Sequence, residues 1–467
     1  MHRKLHRRNA LLPAVRMLRS LLPLAVSLPA VLFVACSSDE TPPASVPVEA
    51  GPVETGTPDA APDSVPVEAA APTNISESIK TTSESETHLA VAPDGRVLVA
   101  WIGLGSKFGT GYAFSSDRGG TFAAPALLAG NLGDPIVASG TDSSFYIGYL
   151  DGVCTAGEVC SEGHVYVRKA APGSSTFGAP VDVSEGNPAH FYDKPWLMRT
   201  GTGSLVAIFN QREGQYPTNL DAIVASRSTD GVTWARSFVV PVQPQGTLAS
   251  IPHACASRTG ARVWAIFIDS TSAIGGSLRW SDDSGATWPA GNLGQTFSLP
   301  GESAEVQSYD YRCAGEGNDV WVMYGLGSGA GTSEAIPSLK QIRVAHSSDG
   351  GKTFDRRTTI EQPGAFYLRP EIVVEPGGAL DVLMYRGSKD KDPNGRVERL
   401  RSTDGGKTFG SPVVELDPML FDPSRATATW LGDYSGLVAD GPDVLTSYIT
   451  NATGTSHVAF SRKLAQP

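Results

Sequence analysis

The octapeptide Ser115-Ser116-Asp117-Arg118-Gly119-Gly120-Thr121-Phe122 carries the pattern that decides the fold of this chain, Ser-x-Asp-x-Gly-x-Thr followed by Phe or Trp. The pattern recurs intact at residues 281–288, 347–354 and 402–409, and a copy one residue shorter occupies residues 228–234. Recurrence at similar intervals is the sequence signature of an array of repeated structural units. We therefore predict a chain built from similar β-rich units.

Each copy of this motif follows a short strand pattern and supplies the residues that a tight hairpin needs. Glycine adopts positive φ without steric cost, and the Asp carboxylate can accept hydrogen bonds from nearby backbone N–H groups. The closing aromatic residue is apolar enough to pack beneath the turn, between neighbouring sheets. A structural role is therefore predicted for Asp117 and its counterparts, and no part in chemistry.

The repeated turn resembles the Asp-box, or BNR repeat, of sialidases and other secreted β-propellers. The resemblance implies an all-β propeller over residues 74–467, with the boxes between the third and fourth strands of each blade, away from the active site. It leaves function open, because Asp-box propellers include sialidases, xyloglucan hydrolases, sorting receptors and assembly factors.

Strand pairs between the turns give the number of blades. Alternating and β-branched residues with a turn between them mark seven hairpins, at residues 87–101, 134–149, 193–209, 251–267, 310–324, 369–385 and 433–448. The last hairpin is followed by a third strand at 456–461, and a fourth from residues 75–82 would close the ring. We predict seven blades, with six, the number in sialidases, as the alternative.

The N-terminal 35 residues are expected to direct export. They contain six Lys or Arg and no acidic residue, with a basic stretch at 2–8 ahead of an apolar run at 21–34, the order of a secretory signal peptide. The run ends in Leu32-Phe33-Val34-Ala35-Cys36, which resembles a bacterial lipobox and implies cleavage before Cys36 and lipid attachment to it. An uncleaved membrane anchor is the alternative, disfavoured because the run is short and broken by prolines.

Residues 36–73 are predicted to form a tether rather than a domain. They are rich in Pro, Ala and Glu, lack aromatic residues and repeat the hexapeptide Ser-Val-Pro-Val-Glu-Ala, so they cannot build a core. The tether would hold the folded part off the envelope membrane. Ser37 after Cys36 suits the outer membrane, by resemblance to proteobacterial lipoproteins.

Charge and motifs limit the partners. Without the signal the chain has 31 basic and 48 acidic residues, which argues against nucleic acid as a partner. The segment at 390–395 lacks the spacing and terminal Glu of a calcium loop, and no helix follows the glycine-rich segments at 103–105 and 325–331. We predict no metal and no cofactor, a monomer, and an extracellular carbohydrate or surface protein as partner.

Four cysteines remain after Cys36, an even number in an exported chain. We expect two disulfides rather than four buried thiols. A disulfide between Cys154 and Cys160 would close a loop. A disulfide between Cys255 and Cys313 would join neighbouring strands, because these cysteines lie at equivalent places in consecutive repeats.

The candidate site lies where the first strands of the hairpins begin, because first strands converge on the axis of a propeller. These starts carry charge where buried strands are usually apolar, at Glu86 and His88 among others. The predicted ligand-binding residues are Asp134, Lys194, His253, Asp310, Arg312, Arg369 and Glu371. Asp193, Asp433 and Tyr434 are the candidates for catalysis, since carboxylates, arginines and a tyrosine could hold sugar hydroxyls or do acid–base work. The alternative is that such residues only hydrate and cross-link the channel mouth.

Comparison with sialidases leaves three possible functions. The first-blade stretch Ser85-Glu86-Thr87 replaces the Arg-Ile-Pro motif that supplies the first carboxylate-binding arginine of sialidases, whereas residues 433–437 are similar to the sequence around the sialidase tyrosine. One reading is a lipoprotein that binds a glycan or protein without cleaving it. Another is a glycoside hydrolase with Asp193 or Asp433 as acid/base and with Tyr434 or a carboxylate as the nucleophile or its aid. A scaffold for envelope assembly is a third. Binding is favoured, because a propeller guarantees a platform but not a reaction.

Overall fold

The protein is built of β-strands in a computed structural model that describes residues 73–76, 83–104, 109–154, 160–185, 190–213, 222–242, 249–269, 276–294, 306–326, 339–387, 395–419, 431–450 and 456–463. The predicted signal peptide, Cys36 and nearly all of the tether lie outside these residues. Within them, no helix is long and apolar enough to cross a membrane.

The described residues form 28 strands. In chain order they are β1 (Thr73–Asn74); β2 (Ser83–Val91), β3 (Val97–Leu104), β4 (Gly109–Ser115) and β5 (Ala126–Ala129); β6 (Gly133–Ser139), β7 (Phe145–Cys154), β8 (Cys160–Ala170) and β9 (Val181–Asp182); β10 (His190–Arg199), β11 (Leu205–Glu213), β12 (Ala222–Ser228) and β13 (Ala235–Val240); β14 (Ala249–Ala256), β15 (Val263–Asp269), β16 (Gly276–Ser281) and β17 (Leu293–Gly294); β18 (Val306–Glu316), β19 (Asp319–Leu326), β20 (Gln341–Ser347) and β21 (Arg356–Ile360); β22 (Phe366–Val374), β23 (Leu380–Gly387), β24 (Gly395–Ser402) and β25 (Val413–Met419); β26 (Gly436–Asp440), β27 (Asp443–Thr450) and β28 (His457–Lys463).

Consecutive strands pair antiparallel into sheets, which makes the fold an all-β propeller. Five sheets are separate four-stranded blades, fewer than the seven or six predicted from the sequence. The two remaining predicted hairpins lie in one eight-stranded sheet, because β8 and β10 are joined by a parallel pairing of Gly163 with Phe191. The first strands contact one another in a ring that runs β2, β6, β10, β14, β18, β22, β26 and back to β2. The starts of the first strands therefore meet at one end of this ring.

The last sheet takes one strand from the N-terminal side of the chain, as expected, although residues 77–82 of the predicted segment lie outside the described part. Its order is β1, β28, β27, β26, and the short strand β1 precedes the predicted segment at 75–82. Ile75 N still donates to Val458 O at 3.0 Å. At the next residue the buried Ser76 hydroxyl accepts from Val458 N at 2.9 Å. Ile75 and Ser76 therefore both hold the N-terminal segment against β28.

The repeated Ser-Asp-Gly-Thr motif forms the turn between the third and fourth strands, at the end opposite the starts of the first strands. Ser115 Oγ donates to Asp117 Oδ1 at 2.7 Å and accepts from Gly119 N at 2.8 Å. The Asp117 carboxylate accepts from the N–H and the hydroxyl of Thr121, each at 2.8 Å. The turns that begin at Ser281, Ser347 and Ser402 repeat these bonds. The motif is thus a hydrogen-bonded turn whose polar groups satisfy one another.

The aromatic residue after each turn packs into the core between neighbouring sheets. Phe122 lies edge-on to Phe460 of β28 with ring centroids 4.9 Å apart, which links the first sheet to the closing sheet. Trp288 packs into a core cluster with Val206 and Ile208 of β11. Burial of a large aromatic side chain contributes on the order of 2 kcal/mol, so each turn helps to join two sheets.

Candidate functional site

A β-bulge near the start of six of the seven first strands positions the charged side chains of the site. The antiparallel register shifts in β2, β6, β10, β14, β18 and β22. In four of these strands the bulge contains a non-glycine residue with positive φ, namely Glu86, Asp134, Lys194 and Arg369, with φ between 47° and 52°. Such residues are strained by about 1 kcal/mol each and cluster at functional sites. A bulge re-aims a side chain, and here the re-aimed side chains converge.

Lys194 is the centre of this cluster. Its ammonium lies 3.2 Å from Asp134 Oδ2 and 2.7 Å from Asp433 Oδ2, and its side chain is 8% exposed. The bulge places Lys194 beside Pro195, and Lys194 N donates to Asp193 Oδ1 at 2.8 Å. One buried cation therefore joins β6, β10 and the segment before β26.

Two arginines complete the network. Arg369 Nη2 lies 3.1 Å from Asp433 Oδ1. Arg312 Nε donates to Glu371 Oε1 at 2.8 Å, while its other two nitrogens donate to the backbone oxygens of Tyr311 and Asp433, at 2.8 and 2.6 Å. These contacts cross-link charged groups of β6, β10, β18 and β22 with the segment before β26.

Glu86 connects the first sheet to the last. Its backbone N–H donates to Leu431 O at 3.2 Å, and its Oε1 accepts from Asp433 N at 3.0 Å. Gly432, with φ 94°, lies against Glu86 so closely that a Cβ at Gly432 would stand 2.2 Å from Glu86 Cγ. Only glycine fits at this contact.

Aromatic and imidazole rings form the other part of the site. The Trp196 ring centroid lies 4.0 Å from that of His253 and 5.4 Å from that of Tyr434, and the Arg312 guanidinium lies 5.7 Å from the Trp196 ring centroid. His88 packs edge-on to Trp196 at 5.9 Å, and its Nδ1 accepts from Val137 N at 3.3 Å. These contacts hold Trp196 in a fixed orientation.

A small depression of about 30 Å³ opens between these groups. Its lining combines aromatic and imidazole rings, two prolines, two cations and two carboxylates. These residues are Asp134, Lys194, Pro195, Trp196, Pro252, His253, Tyr311, Arg312, Asp433 and Tyr434. A mostly preformed pocket with a few convergent polar groups is the usual form of a small-ligand site.

Burial and crowding shift the pKa values of the carboxyl groups around Lys194. Burial raises the pKa of Glu86 well above its usual value, and the negative charges of Asp134 and Asp433 raise it further. Burial also raises the pKa of Asp134, against the opposing effect of Lys194. Burial alone would lower the pKa of Lys194, but the charges of Asp134, Asp433 and Glu86 outweigh it and raise that pKa. Three carboxyl groups compete for one ammonium, so the ammonium stays charged while Glu86 and Asp134 hold protons more tightly.

The rings are held in their neutral forms. Burial lowers the pKa of His88 to about 4. Burial, with the nearby Arg312 and His88, lowers the pKa of His253 well below its usual value. Burial and the charges of Glu86, Asp134 and Asp433 raise the pKa of Tyr434. Both imidazoles are therefore uncharged at pH 7, and the Tyr434 phenol keeps its proton.

The structure brings together most of the residues predicted from the sequence. Asp134, Lys194, His253, Arg312, Asp433 and Tyr434 line the pocket, and Arg369 and Glu371 lie directly behind it, in contact with Asp433 and Arg312. Asp193 is directed away from the pocket and pairs with Arg212 Nη2 at 2.9 Å. The side chain of Asp310 lies outside the described part of the chain.

Trp196, Tyr311 and Pro252 also line the pocket, and the sequence analysis did not select them. The signal was Pro195 beside Trp196 within a strand pattern, because proline inside a strand marks a bulge. Glu86 and His88 were noticed as polar strand starts but were not selected as site residues.

A disulfide joins two first strands beside the pocket. Cys255 of β14 and Cys313 of β18 are bonded, with Cα atoms 5.7 Å apart. Cys313 follows Arg312 directly, and its Sγ lies 3.9 Å from His253 Nδ1. The bond therefore fixes the distance between two strands that each supply a pocket residue. Cys154 and Cys160 are register partners in the β7–β8 hairpin, and their side chains lie outside the described part.

The described residues contain no group of three or more His, Cys, Asp or Glu placed to hold a metal ion.

Comparisons with known proteins bear on the fold alone. No protein-family model matches the chain, and no curated protein matches it in sequence. Among solved structures it is similar to an ulvan lyase of polysaccharide lyase family PL25, with 12% identity, a TM-score of 0.50 and coverage of 84% of this chain and 93% of the lyase. A Hadza microbial sialidase matches with 12% identity, a TM-score of 0.45 and coverage of 84% and 68%. The GH93 α-L-arabinofuranosidase of Fusarium graminearum matches with 11% identity, a TM-score of 0.42 and coverage of 85% and 96%. These neighbours share the β-propeller architecture.

Proposed function

We propose that this protein is a cell-envelope lipoprotein whose propeller binds an extracellular glycan in the pocket around Trp196. The observation that carries the proposal is a partly buried tryptophan held on a bulged strand beside Lys194, which contacts both Asp134 and Asp433. Aromatic rings pack against the C–H faces of sugars, and fixed polar groups set their orientation and specificity. The pocket offers both, with Trp196, Lys194 and Asp134 on strands and Asp433 in the segment before β26.

The polar groups support binding more than turnover. Tyr434 Oη donates to Pro135 O at 2.8 Å, so the hydroxyl proposed as nucleophile already has a backbone partner. The Asp433 carboxylate lies between Lys194 and Arg369. Asp193 pairs with Arg212 outside the pocket lining. Groups engaged in this way suit a preorganised binding surface.

Binding of the purified full chain to an array of extracellular polysaccharides tests this function. We expect Trp196→Ala to weaken binding of any recognised glycan at least tenfold. Phe238→Ala is the matched control, because Phe238 is an aromatic residue 44% exposed on the outer strand β13. Equal binding by both variants, at unchanged melting temperature, would contradict the pocket assignment.

A glycoside hydrolase is the second candidate, favoured by one geometric observation. Asp134 Oδ2 and Asp433 Oδ2 lie 3.2 and 2.7 Å from the same nitrogen, so they are at most 5.9 Å apart. Retaining glycosidases place their two carboxyl groups about 5 Å apart, and burial raises the pKa of Asp134 as a general acid requires. The test is hydrolysis of a panel of aryl glycosides by the wild type, Asp134→Asn and Asp433→Asn. Activity abolished by either change would replace the binding function.

The remaining parts of the proposal concern the envelope and the ring. Lipid attachment at Cys36 would anchor the chain to the outer membrane through the tether at 36–73, with the propeller as a monomer. Seven blades are proposed because seven first strands contact one another in sequence. Cys36→Ala should abolish incorporation of labelled palmitate and release the protein from the membrane fraction.

A further inference from the structure

We infer that the pocket selects uncharged, hydroxyl-bearing sugars and excludes acidic ones, because carboxylates of the protein already occupy its cations. This inference rests on the proposed glycan-binding function and names the class of ligand for the same site.

Arg312 gives the clearest case. Its Nε donates to the Glu371 carboxylate at 2.8 Å, and both terminal nitrogens donate to backbone oxygens. Glu371 Oε1 also accepts from Ser435 N at 3.2 Å, so the carboxylate is held in place from a second sheet. A guanidinium recognises a carboxylate by a two-nitrogen fork. In Arg312 all three nitrogens serve the protein itself.

Lys194 is neutralised in the same way. Two carboxylates, Asp134 and Asp433, lie within 3.2 Å of its ammonium, and Asp433 also contacts Arg369. These internal carboxylates stand where the acid group of a sialic acid or uronic acid would have to bind. An incoming anion would displace them or lie against them, and juxtaposed like charges are strongly unfavourable.

The rest of the lining adds no positive charge. His253 is buried against Trp196 and is uncharged at pH 7 because burial lowers its pKa. The pocket thus has two cations, Lys194 and Arg312, and two carboxylates, Asp134 and Asp433. Hydroxyl groups both donate and accept hydrogen bonds, so a neutral sugar can share these paired groups without adding a net charge.

Matched ligand pairs test the inference with the full chain. Each pair differs by an acid group: galactan against polygalacturonate oligosaccharides, and lactose against sialyllactose. We expect every bound member to be the neutral one, with its acidic counterpart bound at least tenfold more weakly in calorimetry at low salt.

A substitution that removes an internal carboxylate should weaken the preference for neutral sugars. Glu371→Gln keeps an acceptor oxygen for Arg312 Nε and Ser435 N but removes the negative charge, so the positive charge of Arg312 is no longer neutralised by its partner and can attract an anion. We expect the neutral-to-acidic preference to fall at least tenfold. Asp134→Asn removes a carboxylate charge beside Lys194 in the same way. It provides a second variant should the first not fold.

Asp381→Asn is the matched control, because it removes a buried carboxylate that pairs with the buried Arg399 away from the pocket. It changes the net charge by the same unit and should leave the preference as in the wild type. A wild-type preference for the acidic members, or an equal change in the control, overturns the inference and leaves glycan binding intact. Binding of neither class overturns the proposed function itself.

Discussion

At the turn end of the propeller Asp117 is exposed and accepts three hydrogen bonds within its own loop, whereas at the axial end Asp134 is buried and shares Lys194 with Asp433. Hydrogen bonds from Thr121 and Ser115 lower the pKa of Asp117 to about 2, and burial raises the pKa of Asp134. The same side chain is thus a local turn element at one end and part of a network between sheets at the other. Because the turns are self-contained, changes there should act locally, and changes at the axis should act on the whole ring.

The largest effect is expected from Lys194→Met. It leaves the buried carboxylates of Asp134 and Asp433 without their shared cation, and breaking a buried ion pair from one side costs about 3 to 5 kcal/mol. Chemical denaturation should show a loss of that size. Lys169→Met, at a partly exposed lysine 3.8 Å from Asp142, should change stability by less than about 1 kcal/mol. Similar losses in both variants would remove the distinction between the two ends.

Removal of the disulfide should have the next largest effect. The double change Cys255→Ala and Cys313→Ala opens a link between β14 and β18 that spans 58 residues, and loss of such a link typically costs about 2 to 5 kcal/mol. We also expect weaker glycan binding, since His253 and Arg312 lie beside the bond. Denaturation and calorimetry on the same samples check both effects. Unchanged binding by a folded, destabilised variant would show that the disulfide acts on stability alone.

A turn substitution should cost less and leave binding unchanged. Ser347→Ala removes a buried hydroxyl that donates to Asp349 and accepts from Gly351 N at 2.9 Å, a loss of about 1 to 2 kcal/mol. Thermal melting measures the loss, and the glycan array measures binding. Reduced binding in this variant would mean that the turns communicate with the pocket.

The smallest effects are those of pH on stability. The stability contributed by Asp117 at the turn end and by Glu86 at the axial end should change in opposite directions as pH rises. The pKa of Asp117 is lowered in the folded state, so its stabilisation is complete above its ordinary value of 3.8 and is lost as pH falls towards about 2. The pKa of Glu86 is raised, so the folded state favours its protonated form, and stability is lost as pH rises above its ordinary value of 4.5. Glu86→Gln should therefore gain stability relative to the wild type as pH rises from 4 to 8. Asp117→Asn should differ most from the wild type above pH 4. Melting curves over this range distinguish the two, and parallel curves for Glu86→Gln and the wild type would refute the raised pKa.

The propeller fold could be predicted from the sequence because the turn that specifies it is local. The bonds around Asp117 lie within eight consecutive residues, so a motif describes them completely. The grouping of strands into separate sheets could not be predicted, because the pairing of Gly163 with Phe191 depends on how two neighbouring sheets approach each other.

The site was predictable in its charged residues and not in its geometry. Arg369 and Lys194 stood out because charge is unusual at the start of a buried strand. Their partners depend on bulges and on contacts between sheets, such as the bond from Asp433 N to Glu86, which is 347 positions away. Trp196 was overlooked because an aromatic residue in a strand usually belongs to the core. Pro195 was the available signal for the bulge that turns it towards the pocket.

The pairing of β1 with β28 has a consequence for how the chain folds. Thr73 is the register partner of Phe460, so β1 can pair only after β28 has been synthesised. Sheets made of neighbouring strands can form earlier, because local contacts close quickly, whereas distant ones are slow. Ring closure is therefore the last step of folding, and until it occurs β28 presents an open edge to other chains.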